Sequence, residues 1–317
     1  MIDPSLAPEP WLTVDDLWTM ATAVLASVAC GLVGCWLVLR RLSLLGDAIS
    51  HAVLPGIAGA FLLTGTREVI PMLIGATVIG VATAFISSAL GRWGRVDRDA
   101  AMGVTFTSLF ALGVVMMSLA ARQVDLDPGC VLYGLLEFVP FDTVNLLGTP
   151  VPRAAAWLGV ALVMDIILIV SFFKELRATS FDPAHAASVG LRVGLVHVGL
   201  MATVAANTVV AFEAVGSILV VAMLVAPGAT ARLWTDRLVP MLCLAAAIAA
   251  ATAIVGCLAA IELNTSIAGM IATMSLIGYL GSVAAVAAMD AWRRRAPVVA
   301  PVDGVPLSEL QRRSGRS

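Results

Sequence analysis

The sequence predicts an all-α, polytopic transmembrane helical bundle of about nine spans, and three observations predict it. First, 60% of the 317 residues are hydrophobic and only 13% are charged, about half the charged share of an average soluble domain. Second, the apolar residues come in runs of about twenty, the length an α-helix needs to cross the hydrocarbon core, without the alternation of a barrel strand. Lipid offers no hydrogen bonds to an open backbone, so such runs must be helices. Third, the basic residues sort to one side of the predicted membrane, as set out below.

The first run, 17–39, follows Met1 to Asp16, an acidic, proline-containing stretch without the basic n-region of a cleavable signal peptide. Residues 1–16 are therefore expected as an extracytoplasmic N-terminus. Further spans are expected over 42–64, 69–90, 100–121, 154–173, 193–212, 215–232, 238–261 and 266–288, which makes 17–290 one transmembrane domain. Between the fourth and fifth spans, Arg122 to Arg153 carries Asp125, Asp127, Glu137 and Asp142 around an apolar piece, Cys130 to Val139. That piece is too short to span and is expected at the surface or re-entrant. Residues 291–317 are polar, basic and proline-containing, and read as a flexible cytoplasmic tail able to touch anionic membrane lipid. There is no second globular domain and no nucleic-acid patch. Cys30, Cys35, Cys130, Cys243 and Cys257 show no C-x-x-C spacing, and all but Cys130 lie in apolar runs, so they read as small core residues.

Orientation follows from Lys and Arg, which short loops retain on the cytoplasmic side. With the N-terminus outside, the cytoplasm receives Arg40, Arg41, Arg92, Arg95, Arg98, Lys174, Arg177, Arg192, Arg232, Arg237, Arg293, Arg294, Arg295, Arg312, Arg313 and Arg316. Only Arg67, Arg122 and Arg153 remain outside. Sixteen of nineteen on one side supports an odd number of spans, because one span more or fewer would mix the two sets.

The segment Arg40 to Ala58, RRLSLLGDAISHAVLPGIA, is the richest in chemistry. Asp47 and His51 stand four apart and share one helical face. An ionisable residue inside a span costs about 2.5–3.5 kcal/mol on insertion scales and usually faces an interior or a pathway. A carboxylate oxygen with an imidazole nitrogen suits Mn, Fe or Zn, whereas an all-oxygen site suits Ca or Mg. The same spacing also fits a buried Asp-His hydrogen bond that only orders the helix. Two ligands are too few for a metal, so another helix or a second copy of the chain must complete the shell.

That run resembles the second-helix signature of the manganese/zinc/iron permease family of ABC importers. Further similarity follows in order: DPGCVLYGLLEFVPFD from Asp127, FFKELRATSFDPAHAASVG from Phe172, VGSILVVAMLVAPGATAR from Val215 and SIAGMIATMSLIGYLGS from Ser266. It covers about residues 17 to 290. The resemblance implies a type II ABC importer-like fold in the bacterial inner membrane. It also implies a homodimer served by cytoplasmic ABC ATPase subunits and an extracytoplasmic metal-binding lipoprotein. Asp47 and His51 are then expected to line the path of a transported Mn, Zn or Fe ion, with no permanently bound cofactor.

FDPAHAASVG, Phe181 to Gly190, predicts a short helix, with Asp182 before Pro183 as its start and Gly190 as its stop. In the family's terms it resembles the coupling helix that docks into the ATPase, placing Phe181, Asp182, Pro183, Ala187 and Gly190 at that contact and His185 at an interface or in solvent. Asp165, in the middle of the fifth span, is a pathway candidate on cost alone, although the family pattern does not require an acid there; the other reading is a locally hydrogen-bonded carboxyl. His197 reads as a packed histidine. Glu213 and Glu262 fall at outer ends of spans, where they can attract cations. Pro227 and Gly228 are expected to break the seventh helix near its inner end.

The lone lysine, Lys174, lies between Phe173 and Glu175, so no G-x-x-x-x-G-K-[ST] loop exists and the chain cannot be its own ATPase. It reads as a transport subunit and not an enzyme; no H-E-x-x-H or G-x-S-x-G run appears either. The rival classes are an ion-coupled secondary metal transporter and an ABC permease for a metal chelate such as a siderophore.

Overall fold

The structure is a computed structural model and describes residues 13–66, 69–94, 96–121, 136–146 and 148–295. In chain order it contains α1 (Val14–Leu39), α2 (Ser43–Thr64), α3 (Val69–Trp93), α4 (Arg98–Ala121), a 3-10 helix (Leu136–Phe141), β1 (Thr143–Leu146) and β2 (Thr149–Pro152). There follow α5 (Arg153–Ser171), α6 (Phe173–Phe181), α7 (Pro183–Ser188), α8 (Val193–Val215), α9 (Ser217–Trp234), α10 (Leu238–Leu263) and α11 (Ile267–Arg295). Among the described residues nine helices, α1 to α5 and α8 to α11, are long and apolar enough to cross a membrane. They match the nine runs expected from the sequence.

Burial ranks these helices. The most apolar stretches of α1 and α2 are 67% buried, against 17% for α5 and 11% for α11. α1 and α2 therefore form the interior and α5 and α11 the rim, where Val160, Val163, Ile167, Ile277 and Leu280 stay exposed, as a lipid-facing surface requires. Because lipid tails are as apolar as leucine, helices associate in a membrane through close approach of small residues. α1 supplies Ala23, Ala26, Cys30, Gly31 and Gly34, all buried, and packs chiefly on α9 and α10. A Cβ on Gly34 would strike the Leu224 carbonyl, and Ser27 Oγ donates to the Ala249 carbonyl at 3.0 Å. α2 packs instead on α3 and α4. There Gly56 and Gly75 face one another so closely that a Cβ on either would lie 2.5 Å from the other's carbonyl oxygen.

Three expectations need correction, and one feature was not expected. α9 does not break at Pro227 and Gly228; it continues to Trp234, because both residues are packed against α1, with a Cβ on Gly228 only 3.2 Å from the Cys35 backbone. Membrane helices tolerate proline where neighbouring helices enclose it. The C-terminal helix runs to Arg295, past the start expected for the tail at 291; residues 296–317, the rest of that tail, lie outside the described residues. Cys243 is exposed on α10, unlike the buried Cys30, Cys35 and Cys257, since an apolar run does not say which side faces lipid; Cys130 lies outside the described residues. Finally, the loop before α5 holds a hairpin that the sequence reading did not anticipate, pairing Thr143 with Pro152 and Leu146 with Thr149 around a turn in which Gly148 takes φ +88°, a conformation glycine adopts at little cost.

Candidate metal site

α2 carries the predicted pair one turn apart. His51 Nε2 lies 3.4 Å from Asp47 Oδ1, and the two side chains are 33% and 39% exposed. Two ligands each about 2.1 Å from one metal and set at the tetrahedral angle stand about 3.4 Å apart. The pair is therefore spaced to share an ion and open enough to release it. α4 forms the wall behind His51: the Phe106 ring stacks on the imidazole at 6.0 Å between centroids and the Phe110 ring meets it edge-on at 5.6 Å. One turn further on, Pro55 sits within α2; having no N–H, it cannot satisfy the His51 carbonyl as an ordinary helix residue would. Among the described residues no group of three or more His, Cys, Asp or Glu converges, so Asp47 and His51 stand as a pair.

The predicted short helix forms as α7. Asp182 Oδ1 accepts from the His185 backbone N–H at 2.9 Å, Pro183 takes the first helical position, and the chain leaves through Gly190 at φ +88°. Phe181, Asp182, Pro183, Ala187 and Gly190 are all exposed, while Ala186 is buried, so the helix presents one face outward and rests on the other. Beside it a cavity of about 570 Å³ is lined by Phe173, Arg177, Phe181, His185, Asp236 and Arg237.

Asp165 is buried on α5, 3% exposed, and its Oδ2 accepts from Asn207 Nδ2 of α8 at 2.7 Å. The locally hydrogen-bonded reading is the one the structure supports. Glu213 is exposed near the end of α8, in the field of Arg153 and Asp142, which themselves pair at 4.0 Å. Glu262 is exposed near the end of α10. None of these acids joins Asp47 and His51 in a cluster of three. His197, partly buried on α8, faces Arg40, whose Nη1 lies 3.4 Å from His197 Nδ1. Sequence reasoning missed Asn207, Phe106, Phe110 and the contacts of Arg40. An asparagine inside an apolar run was a visible signal; its pairing across 42 positions was not.

Comparison with known proteins now bears on this geometry. Residues 17–286 match the ABC 3 transport family. The chain belongs to that family. It is 46% identical over 265 residues to the manganese transport system membrane protein MntD of Bacillus subtilis (strain 168), covering 83% of this chain and 90% of that one. It is 41% identical over 253 residues to the zinc transport system membrane protein TroD of Treponema pallidum (strain Nichols), covering 80% and 69%. Among solved structures it resembles PsaBC from Streptococcus pneumoniae in complex with Fab, with TM-score 0.69, 32% identity and coverage of 83% of this chain and 89% of that one. As an ABC 3 family permease, the chain is a multi-pass membrane transport protein and not an enzyme.

Proposed function

We propose that this chain is the permease subunit of an ATP-driven importer for a divalent transition-metal ion, Mn, Zn or Fe, in a bacterial inner membrane. Two copies pack around a two-fold axis, and Asp47 and His51 of each contribute a half-shell to one central path. The observation that carries this reading is the Asp47–His51 spacing of 3.4 Å on a half-open face in a chain of the ABC 3 family. Two ligands do not complete a metal's shell, and among the described residues no third converges on the pair; a second copy would supply the rest. The metal is cargo here; an extracytoplasmic binding lipoprotein delivers it and cytoplasmic ABC ATPases drive the change of access. α7 is the dock for those ATPases, supported by the exposed apolar Phe181 and Val189 that flank it beside the cavity of about 570 Å³, since exposed apolar side chains grouped together mark an interaction surface. The sorting of Lys and Arg supports an orientation with residues 1–16 on the extracytoplasmic side and the basic tail in the cytoplasm.

Growth of a strain lacking this gene, scanned over limiting manganese, iron and zinc, is expected to fail for at least one metal and to be restored by the intact chain. Growth restored equally by His51→Ala would overturn the assignment of the path. Replacing Ala187 with Arg is expected to weaken ATPase co-purification while leaving the permease inserted; unchanged co-purification and stimulation would remove α7 as the dock. In intact spheroplasts, a cysteine at position 185 is expected to resist external labelling, and labelling there would reverse the orientation.

A further inference from the structure

The turn between α1 and α2 is built on an arginine where a glycine is usual. Leu42 N–H donates to the Leu37 carbonyl at 2.8 Å and Arg41 N–H to the Val38 carbonyl at 3.1 Å, the two bonds of a Schellman ending. Its left-handed residue is Arg41, at φ +57°, a conformation that a residue with a Cβ disfavours. This closed turn leaves two residues between Arg40, at the end of α1, and Ser43, the first residue of α2. Whatever displaces Arg40 is therefore applied to the start of the helix that carries Asp47 and His51.

Arg40 is held by the segment that leads into α7. Its Nε donates to Ser180 Oγ at 2.9 Å and its Nη2 to Thr179 Oγ1 at 2.8 Å. Its remaining terminal nitrogen, Nη1, faces His197 Nδ1 of α8 at 3.4 Å; a guanidinium only donates, so the imidazole nitrogen accepts. The Thr179 hydroxyl is committed in turn, donating to the Glu175 carbonyl at 2.8 Å, which fixes its lone pairs toward Arg40. Thr179 and Ser180 close α6, and the first residue of α7, Pro183, follows three positions after Ser180. Burial lowers the guanidinium pKa from its ordinary value, and a partly desolvated charge depends on its fixed partners. Arg40, Arg41, Thr179, Ser180, Pro183 and His197 share the lining of a cavity of about 790 Å³, which leaves room for the segment to shift.

We infer that Arg40 is a positioning residue that transmits movement of the α6–α7 segment to the metal-bearing helix α2. A planar fork bonded at three nitrogens resists rotation as well as translation, which a lysine ammonium cannot do. The inference rests on the reading of α7 as the ATPase dock and of Asp47–His51 as the metal half-shell, and deepens it by naming the physical link between the two.

The test uses the full permease with its ATPase in proteoliposomes, supplied with whichever of Mn²⁺, Zn²⁺ and Fe²⁺ the parent imports. Arg40→Gln and the double variant Thr179→Val with Ser180→Ala are compared for ATPase co-purification, basal hydrolysis, metal affinity and metal moved per ATP hydrolysed. Metal moved per ATP is expected to fall about tenfold in both, within the usual range for coupling between two sites, with metal affinity and ATPase association unchanged. Arg40→Lys should recover part of the loss. A purely structural role would reduce the amount of assembled transporter but not this ratio. If Arg40→Gln fails to assemble, the double variant, which leaves Arg40 itself intact, decides alone. A ratio within about twofold of the parent, too small to be a working coupling term, overturns the inference. Ala187→Arg separates the two levels: if it releases the ATPase while the double variant transports normally, only the Arg40 link fails; if it releases nothing, the docking assignment fails.

Discussion

Asp47 and Asp165 both lie inside membrane-crossing helices of this protein, and the fold keeps them in opposite ways. Asp47 is 39% exposed, has its partner His51 one turn away on the same helix at 3.4 Å, and retains unused lone pairs. Asp165 is 3% exposed and has one oxygen filled by an asparagine from another helix at 2.7 Å. Both should be expensive in lipid, so cost alone does not identify a transport site. What separates them is remaining coordination capacity: the first carboxylate keeps free lone pairs on a partly exposed face, whereas the second is a closed hydrogen bond that ties α5 to α8. On the proposed function, an acid in a span serves the pathway when its neighbours leave it open, and the packing when they close it.

The largest effects should therefore fall on the open pair. Asp47→Ala and His51→Ala are each expected to lower metal uptake by more than about 100-fold, beyond the 10–100-fold typical of losing a group that only supports a ligand. For Asp47→Ala, thermal stability in detergent should change by less than about 0.5 kcal/mol, because truncation of a half-exposed side chain creates no cavity and strands no buried partner; His51→Ala should lose more, because it also removes the ring contacts with Phe106 and Phe110. Uptake of a radioactive metal, normalised to assembled transporter, checks the first part, and a melting curve checks the second.

Asp165→Ala should show the reverse profile. It leaves the buried Asn207 amide without its acceptor, and such an orphaned donor costs about 1–3 kcal/mol. Uptake per assembled transporter should stay within about twofold of the parent, since Asp165 is bonded to Asn207 and is not a partner of the Asp47–His51 pair. Asp165→Asn, which can still accept from Asn207, should lose less stability than Asp165→Ala. If Asp165→Ala were inactive yet correctly assembled, while His51→Ala kept near-normal uptake, the roles of the two carboxylates would be exchanged and the path would move to α5.

The same contrast explains what could be read from the chain alone. Asp47 and His51 are four residues apart, so helical geometry alone puts them on one face, and the Asp182–Pro183 start with the Gly190 stop is a local signature of equal strength. The spans were legible because apolar length is a property of consecutive residues. Asn207 was not legible as the partner of Asp165, because a contact between two helices leaves no pattern in either. Arg40 illustrates the same limit: it counted as one cytoplasmic charge, yet its contacts lie about 140 to 157 positions away. The unbroken course of α9 through Pro227 and Gly228 was hidden for a related reason, since both residues break helices locally and only the close approach of α1 shows that they serve packing. The hairpin at 143–152 is short, with prolines at the second and fourth positions of its second strand, which suits an edge but weakens any strand signal.

The smallest effect concerns how the open pair is held. Asp165 is oriented by a hydrogen bond, but His51 is oriented by its own helix and by the rings of Phe106 and Phe110. Aromatic contacts of this kind add about 0.5–1.5 kcal/mol beyond the area they bury. Phe106→Leu and Phe110→Leu keep apolar volume while removing the ring contact, so each should raise the metal concentration for half-maximal uptake by roughly twofold to tenfold, the size of that energy in affinity. The maximal rate should hold, because the ligands themselves remain and only the fraction of time His51 spends aimed at the path declines. The double variant should exceed either single one, since the two rings touch different sides of one imidazole, one stacked at 27° and the other edge-on at 80°. If neither the half-maximal concentration nor the metal selectivity moves in the double variant, the rings only fill space between α2 and α4, and the orientation of His51 rests on the helix and Asp47 alone.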